Sequence, residues 1–245
     1  MALLSGEGWL FLLRWFHFLA GITWIGMLYY FNFVQTPFFA GAEPAVRSGM
    51  IVGSLVGRAL WWFRWGAMFT FITGWLIIFH KMGQYGGLGA FFDQWYGWAI
   101  FTGGVLGTVM WANVWFVIWP AQQVVIESAT RVSKAGQAIP EAAARGQRAG
   151  FVSRTNTLFS IPMLFFMGAA SHLTSAAFTN TSAARKLAYL LIAGVVTLLV
   201  EFNALFGTTG STKKMLATVK GTFWAGFVLT LVYYILVELV LRPRA

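Results

Sequence analysis

The sequence predicts an all-α membrane protein in which six transmembrane helices form a single bundle. Of its 245 residues, 58% are hydrophobic and only 10% are charged, and the mean hydropathy is +0.70. Soluble domains are about half apolar and about a quarter charged. Six apolar segments reach the length of about 20 residues that a helix needs to cross the hydrocarbon core. Long apolar blocks without alternating polarity also argue against a transmembrane β-barrel.

The predicted spans follow one another along one domain, residues 1–245. They cover approximately residues 10–34, 58–80, 95–119, 155–172, 186–206 and 221–241. The first follows "MALLSGEG", which lacks the basic residues of a cleavable signal peptide, so we expect this span to stay in the protein. The stretch "PAQQVVIESATRVSKAG" can extend the third span past the bilayer, and Pro140 and Glu141 suit the first turn of the next helix. A protruding helical hairpin is therefore expected.

Lysine and arginine are more frequent in the first, third and fifth loops than on the opposite face. The positive-inside rule then places these loops in the cytoplasm and both termini in the periplasm of a bacterial inner membrane. Because topology explains the formal charge of +10, no nucleic-acid partner is expected. The 13 tryptophans suit either anchoring among membrane lipids at the headgroup level or packing around a flat ligand.

The three histidines are candidate ligands for a non-covalent cofactor. The chain has no cysteine, which excludes disulfides, iron–sulfur clusters and covalent c-type haem. The predicted topology places His17, His80 and His172 toward the outer leaflet, where imidazoles facing the bundle interior could hold haem b or a transition metal such as copper. Arg14, one turn from His17, could pair with a haem propionate. For His80 and His172, which end their spans, a simple interfacial role is the alternative.

Small residues near these histidines have two interpretations. Gly21 lies one turn below His17 and could leave room for a macrocycle. Gly103 and Gly107 form a GxxxG pair in the third span. Such a pair permits close approach of either a porphyrin or, more commonly, a neighbouring helix.

A second polar set lies toward the inner face. It comprises Asn32, Gln35, Arg58, Arg64, Asn113, Arg154, Asn156, Glu201 and Asn203. Because a helix rises 1.5 Å per residue, His17 and Asn32 are about 22 Å apart along the first span, so the two sets are separate sites. Guanidinium groups, amides and a carboxylate that can take a proton suit a small anion with hydrogen-bonding edges. In the alternative, Glu201 pairs with an arginine and the amides cap helix ends.

Four motifs follow one another along most of the chain: "WFHFLAGITWIGMLYYFNFVQ", "ANVWFVIWPAQQ", "SRTNTLFSIPMLFFMGAASH", and "EFNALFG" followed by "KKMLATVKG". Together they resemble the membrane domain of the PuuD-type urate hydroxylases of bacteria. The opening pattern, in which a Trp and a Gly follow His17, is also similar to HemJ-type protoporphyrinogen oxidases and CopD-like membrane proteins. In those families the matching histidine is associated with haem or metal.

The resemblance implies oxidation of urate to 5-hydroxyisourate, with electrons passed to a cytochrome c. It identifies His17 and His172 as candidate ligands of the haem iron, and its motifs contain Asn113, Arg154, Asn156 and Glu201. The chain has no CxxCH motif, and Thr155 stands where a typical urate hydroxylase would carry histidine. We therefore expect a haem b oxidoreductase that hands electrons to a separate cytochrome c or quinone. The alternative is a non-catalytic subunit that holds haem, or only packs, within a larger membrane redox complex.

Overall fold

The computed structural model describes residues 2–173, 181–207 and 209–242, which contain helices, turns and loops but no strand. The all-α prediction is thus confirmed for the described part of the chain. After a short 3₁₀ turn at Ala2–Leu4, the helices are α1 Gly6–Gly41, α2 Pro44–Val52, α3 Leu55–Gln84, α4 Leu88–Phe91, α5 Trp95–Ser133, α6 Ala142–His172, α7 Ala183–Leu205, α8 Ser211–Leu216 and α9 Val219–Leu241.

Five helices of the described residues are long and apolar enough to cross a membrane: α1, α3, α5, α7 and α9. They coincide with five of the six predicted spans, and the chain is a multi-pass membrane protein. The predicted fourth span lies in α6, which has 31 residues but is not in this set. Polar residues in "SRTNT" and around it make α6 less apolar than the other long helices.

The position of α6 in the bundle accounts for its polarity. It packs against α1, α5, α7 and α9. The side chains of Thr155, Asn156, Thr157 and Ser160 are completely buried. The Ser160 hydroxyl donates to the carbonyl oxygen of Thr157 at 2.7 Å, and its oxygen lies 2.8 Å from the Tyr29 hydroxyl. Because its neighbours shield this face from lipid, α6 does not need an apolar exterior to pack at the centre of the bundle.

The protruding hairpin forms as the sequence predicted. Helix α5 continues to Ser133, and α6 begins at Ala142. Pro140 and Glu141 lie in the turn immediately before α6 rather than in its first turn. The Ile139 amide donates to the Ser128 hydroxyl at 3.0 Å, which ties this turn to α5.

Two of the long helices widen into π-helical turns where they carry buried amides. In α1 the π segment is Tyr30–Gln35, which contains Asn32, and in α5 it is Asn113–Ile118. Asn32 donates to the Leu28 carbonyl at 2.8 Å, and Asn156 of α6 donates to the Met110 carbonyl at 3.0 Å. Such turns disturb the regular helical hydrogen bonds and are frequent at functional sites. Here, a buried amide side chain donates to a backbone carbonyl in the turn that precedes each π segment.

The topology can be tested because the chain has no cysteine of its own. We expect a cysteine replacing Ser133, which is exposed at the end of α5, to be protected from a membrane-impermeant maleimide in intact cells and to react in inverted membrane vesicles. Gln84→Cys, exposed at the opposite end of α3, is the matched control with the reverse pattern. Labelling of Ser133→Cys in intact cells would overturn the orientation.

Candidate functional site

Six residues of the inner polar set form two groups on different faces of α6, whereas Arg58, Arg64 and Asn203 belong to neither group. Arg154 and Asn156 are two residues apart, so their side chains leave the helix about 200° from each other. Asn156 points toward α5 and α7, and Arg154 points toward the cavity beside α1 and the end of α8. The sequence pattern predicted one cluster that contains Arg154 and Asn156, and the structure separates these two residues.

The first group is a buried amide–carboxylate triad formed by Asn113, Asn156 and Glu201. The Asn113 side-chain amide donates to Asn156 Oδ1 at 2.8 Å and to Glu201 Oε2 at 3.0 Å. Asn113 and Asn156 are 4% and 0% exposed. Helices α5, α6 and α7 therefore meet through one amide, whose two N–H groups are both engaged.

Among the described residues, Glu201 forms no ion pair with an arginine. Arg154 and Glu201 are both described, and they form no ion pair with each other. The alternative in which Glu201 is half of an arginine salt bridge is therefore wrong for this structure. The Oε1 atom of Glu201 is buried and has no hydrogen-bond partner among the described residues. The carboxyl group thus has one oxygen fixed by Asn113 and one oxygen available to a proton or ligand.

The second group lines a cavity of about 290 Å³ between α1, α3, α5, α6 and α8. Its polar lining is supplied by Asn32, Gln35, Gln122, Gln147, Ser153 and Arg154. The aromatic rings of Phe31 and Phe63, which contact each other edge to face at 5.5 Å, form part of its apolar wall. One cation, several amides and aromatic rings thus surround a single space.

Arg154 is partly engaged by the protein itself. Its Nη1 atom donates to the carbonyl of Leu216, the last residue of α8, at 2.7 Å. Asn32 donates to the Ser153 hydroxyl at 2.9 Å, and Gln35 Oε1 is buried without a partner. The guanidinium is therefore anchored by one nitrogen and retains further donors, while the cavity wall holds at least one unused acceptor.

A second cation, Lys213, caps the C-terminal end of α7. Lys213 of α8, which is only 5% exposed, donates to the carbonyl oxygen of Asn203 and reaches that of Ala204 at 3.4 Å. Its ammonium also lies 4.8 Å from the centre of the Phe151 ring. Burial lowers the pKa of Lys213. Helix α8 is thus fixed to the end of α7 by Lys213 and to α6 by Arg154, which defines one wall of the cavity.

The imidazole ring of His17 is held through Nδ1, which leaves Nε2 able to bind a ligand. Its Nδ1 lies 3.0 Å from the Thr73 hydroxyl, and that hydroxyl donates to the Phe69 carbonyl at 2.6 Å. Because the hydroxyl hydrogen is used in this way, His17 donates from Nδ1–H and Nε2 keeps its lone pair. A Cβ atom at Gly74 would lie 3.1 Å from His17 Cε1, so this glycine gives the ring its place against α3. Such fixation of one nitrogen is typical of histidines that ligate metals through the other.

The three histidines are not in contact with one another. Tyr29 and Ser160 meet across α1 and α6, and His17 and His172 each lie 12 residues toward the outer end, about 18 Å along their helices. They therefore lie at similar heights, although His172 is exposed at the end of α6. His80 lies seven residues beyond Thr73, about 10 Å further out, and its Nε2 is buried without a partner. The described residues contain no group of three His, Cys, Asp or Glu side chains arranged around a metal position.

The residues proposed to surround the histidines have other contacts. Arg14 lies beside the Tyr96 hydroxyl of α5. A Cβ atom at Gly103 would lie 3.1 Å from the Met163 carbonyl, and one at Gly107 would lie 3.4 Å from Met163 Sδ. The GxxxG pair thus lets α5 pack against α6, in agreement with the helix-packing interpretation and not with cofactor clearance. A Cβ atom at Gly21 would lie 3.9 Å from Thr70 Cγ2.

The comparison with known families concerns the part of the chain that holds the triad. The family model described as urate oxidase N-terminal matches residues 90–238, which is more than half of the chain. The chain belongs to the urate oxidase N-terminal family. The suspected relationship to the membrane domain of urate hydroxylases is therefore confirmed. Neither the curated proteins nor the solved structures include a match.

The match to the urate oxidase N-terminal family includes some of the candidate residues and not others. It includes α5, α6, α7 and nearly all of α9, and so contains Asn113, Arg154, Asn156, His172 and Glu201. The histidine with the best ligand geometry, His17, lies before the matched region. The assignment of the family thus rests on the part of the chain that contains the triad and Arg154, whereas the cavity residues of α1 and α3 lie before it.

Several cavity and positioning residues were missed by sequence reasoning. Gln122 stands in the quoted motif "ANVWFVIWPAQQ", so its motif was noticed but its role was not. Ser153 directly precedes Arg154. Gln147 lies about two turns before Arg154 and so on the same side of α6, a helical periodicity that could have identified it. Thr73 gives no sequence signal, because only the packing of α3 against α1 shows that it meets His17.

The triad predicts a specific loss of stability. Asn113→Leu should lower the free energy of unfolding by about 1–2 kcal/mol, since Asn156 Oδ1 and Glu201 Oε2 both lose their donor inside the bundle. Thermal unfolding of the detergent-solubilised protein measures this change. Thr23→Val is the control, because the Thr23 hydroxyl is exposed and bonds only to its own helix at Leu19. Equal stability of the two variants would contradict the account.

Proposed function

We propose that this protein is a haem b oxidoreductase of the urate hydroxylase type that oxidises a small planar anion such as urate. The observation that carries the proposal is the cavity that combines Arg154, several amide side chains and three aromatic rings. Membership of the urate oxidase N-terminal family supports the substrate class. Six membrane spans, with α6 as the central one and both termini in the periplasm of a bacterial inner membrane, form part of the proposal.

The cavity chemistry suits an anionic heterocycle. Guanidinium nitrogens of Arg154 not used by Leu216 neutralise the negative charge and donate to its oxygens. Amides such as Gln35 offer both donors and acceptors to the ring edge, and Phe31 or Phe63 can cover a flat face. A volume of about 290 Å³ lies at the small end of ligand cavities, as a compact substrate requires.

The triad supplies a proton acceptor on the opposite face of α6 from Arg154, outside the lining of the cavity. Oxidation of a protonated heterocycle releases protons, and the free Oε1 atom of Glu201 can accept one. Asn113 and Asn156 hold this carboxyl group in place between α5 and α6. An ionisable residue kept within a membrane bundle is costly, which favours a functional role over a purely structural one.

The residues around His17 fit a haem ligand. Its Nε2, with Nδ1 held by Thr73, would be available to bind the haem iron. His172 would be the second candidate ligand because it lies at a similar height, with His80 as the alternative, and Arg14 would be the candidate partner of a propionate. When bound, haem b would accept single electrons and deliver them to a separate cytochrome c or quinone.

A non-catalytic, haem-holding subunit of a larger membrane redox complex is the second candidate. The observation that favours it is the separation of about 22 Å along α1 between His17 and the cavity residue Asn32. In that case the cavity and the haem site would serve different partners. Substrate-dependent haem reduction distinguishes the two functions.

The haem proposal makes a spectroscopic prediction. The purified wild type should show a Soret band, and His17→Ala should lose it because the only fixed imidazole with a free Nε2 is removed. Thr73→Val should retain the band but raise the midpoint potential, since loss of the Nδ1 partner makes the ligand less basic. A colourless wild type, or an unchanged spectrum in His17→Ala, would disprove this assignment.

The substrate proposal makes a kinetic prediction. Arg154→Gln should raise the urate concentration needed for haem reduction by about tenfold or more, and Glu201→Gln should lower the rate at saturating urate. Arg148→Gln removes an exposed cation from the same helix and should change neither quantity. Stopped-flow spectra follow the reduction. If urate does not reduce the haem of the wild type, the subunit function is favoured instead.

A further inference from the structure

Arg64 of α3 is a cation without an acidic partner, surrounded by indole rings. Its guanidinium carbon lies 4.0 Å from the ring centre of Trp119, 4.6 Å from that of Trp115 and 5.4 Å from that of Trp65. The ion pairs of the described residues do not include it. It does not line the cavity of Arg154, so the proposed redox function leaves this charge unexplained.

The rings fix the guanidinium and leave one side of it open. Arg64 Nε is buried among them without an acceptor, whereas the side chain as a whole is half-exposed. The two terminal nitrogens therefore form the accessible end of the group. Two parallel N–H donors in this arrangement match two oxygens of a phosphate, and stacking on indole reduces the entropy lost when they bind.

The depth of this site along α3 indicates the kind of molecule that reaches it. The hydrocarbon core is about 30 Å thick, which corresponds to about 20 helical residues. Counted from Lys81 near the other end of α3, the boundary falls beside Trp61. Trp61 and Trp62 are 46% and 57% exposed, as expected for indoles at the headgroup level. Arg64 lies one turn, about 4.5 Å, inside this boundary, and because helical side chains lean toward the N-terminus its long side chain can reach the glycerol and phosphate groups of the inner leaflet.

The surface around the cation is apolar. Phe116 of α5 is 69% exposed, and the Trp65 and Trp115 rings meet edge to face at 5.6 Å across the contact between α3 and α5. Acyl chains can lie on this surface while the phosphate meets Arg64. A free anion in water would gain the charge interaction but none of the apolar contact.

We propose that Arg64, with the indoles of Trp65, Trp115 and Trp119, forms a binding site for the phosphate of an inner-leaflet glycerophospholipid. The site is independent of the proposed redox function, because it shares no residue with the cavity, the triad or the histidines. A bound lipid neutralises the guanidinium and covers the contact between α3 and α5.

Native mass spectrometry of the protein in detergent, titrated with dioleoylphosphatidylglycerol, tests the site. Arg64→Gln should weaken binding of one lipid by about tenfold, because a charge-assisted pair of hydrogen bonds is lost. Arg64→Lys, which keeps the charge and the fold, should weaken it severalfold because the planar donor pair is lost. Arg131→Gln should bind as the wild type does, since Arg131 is exposed and paired with Glu127.

Three ligands identify what is recognised. Dioleoylglycerol has the same chains without a phosphate and should not occupy the site. Inorganic phosphate and a short-chain quinone should not displace the phospholipid. Unchanged phosphatidylglycerol binding in both Arg64 variants, or equal binding of dioleoylglycerol, would overturn the proposal. Displacement by phosphate or by the quinone would also overturn it, by assigning the site to a free anion or to an electron carrier.

Discussion

The structure depends on keeping the polar groups of α6 away from lipid. In a bilayer, each buried donor and acceptor must find its partner within the protein. Asn156, Thr157 and Ser160 achieve this through the Met110 carbonyl, the preceding turns of α6 and the Tyr29 hydroxyl. Surrounding helices supply the lipid-facing surface, so their sequences are strongly apolar while that of α6 is not. A central polar helix is therefore what allows a polar cavity in so apolar a protein.

The need of buried polar groups for hydrogen-bond partners also determines the arrangement of the triad and of the cavity residues. A π turn in α1 and another in α5 carry Asn32 and Asn113 into contact with α6. Asn32 and Asn113 already form hydrogen bonds within the protein. Among the described residues, the groups that remain available for chemistry include Glu201 Oε1, Gln35 Oε1, Thr155 Oγ1 and the unused nitrogens of Arg154. This division makes the cavity suitable for binding an anion and the triad suitable for holding a proton. It also means that substitutions in the triad affect stability and chemistry together.

The sequence predicted the positions of the long helices well, because each one leaves a long apolar pattern. It also predicted that Asn113, Asn156 and Glu201 belong together. It did not separate Arg154 from them, although the two-residue spacing on α6 contains that information. The contact of Thr73 with His17 and the aromatic surroundings of Arg64 could not be predicted, because they depend on which faces of α1, α3 and α5 meet. The sequence also predicted that the helix before the fourth span begins near Pro140 and Glu141, and the structure begins α6 at Ala142.

The central claim is that α6 crosses the membrane at the centre of the bundle, with its inner end beside the cavity and its outer end at the level of His17. A cysteine replacing Ser171, which is exposed one residue before the end of α6, tests this most directly. If the outer end of α6 faces the periplasm, we expect a membrane-impermeant maleimide to label this cysteine in intact cells. Protection in intact cells, followed by labelling in inverted vesicles, would place both ends of α6 on the cytoplasmic side and contradict the account.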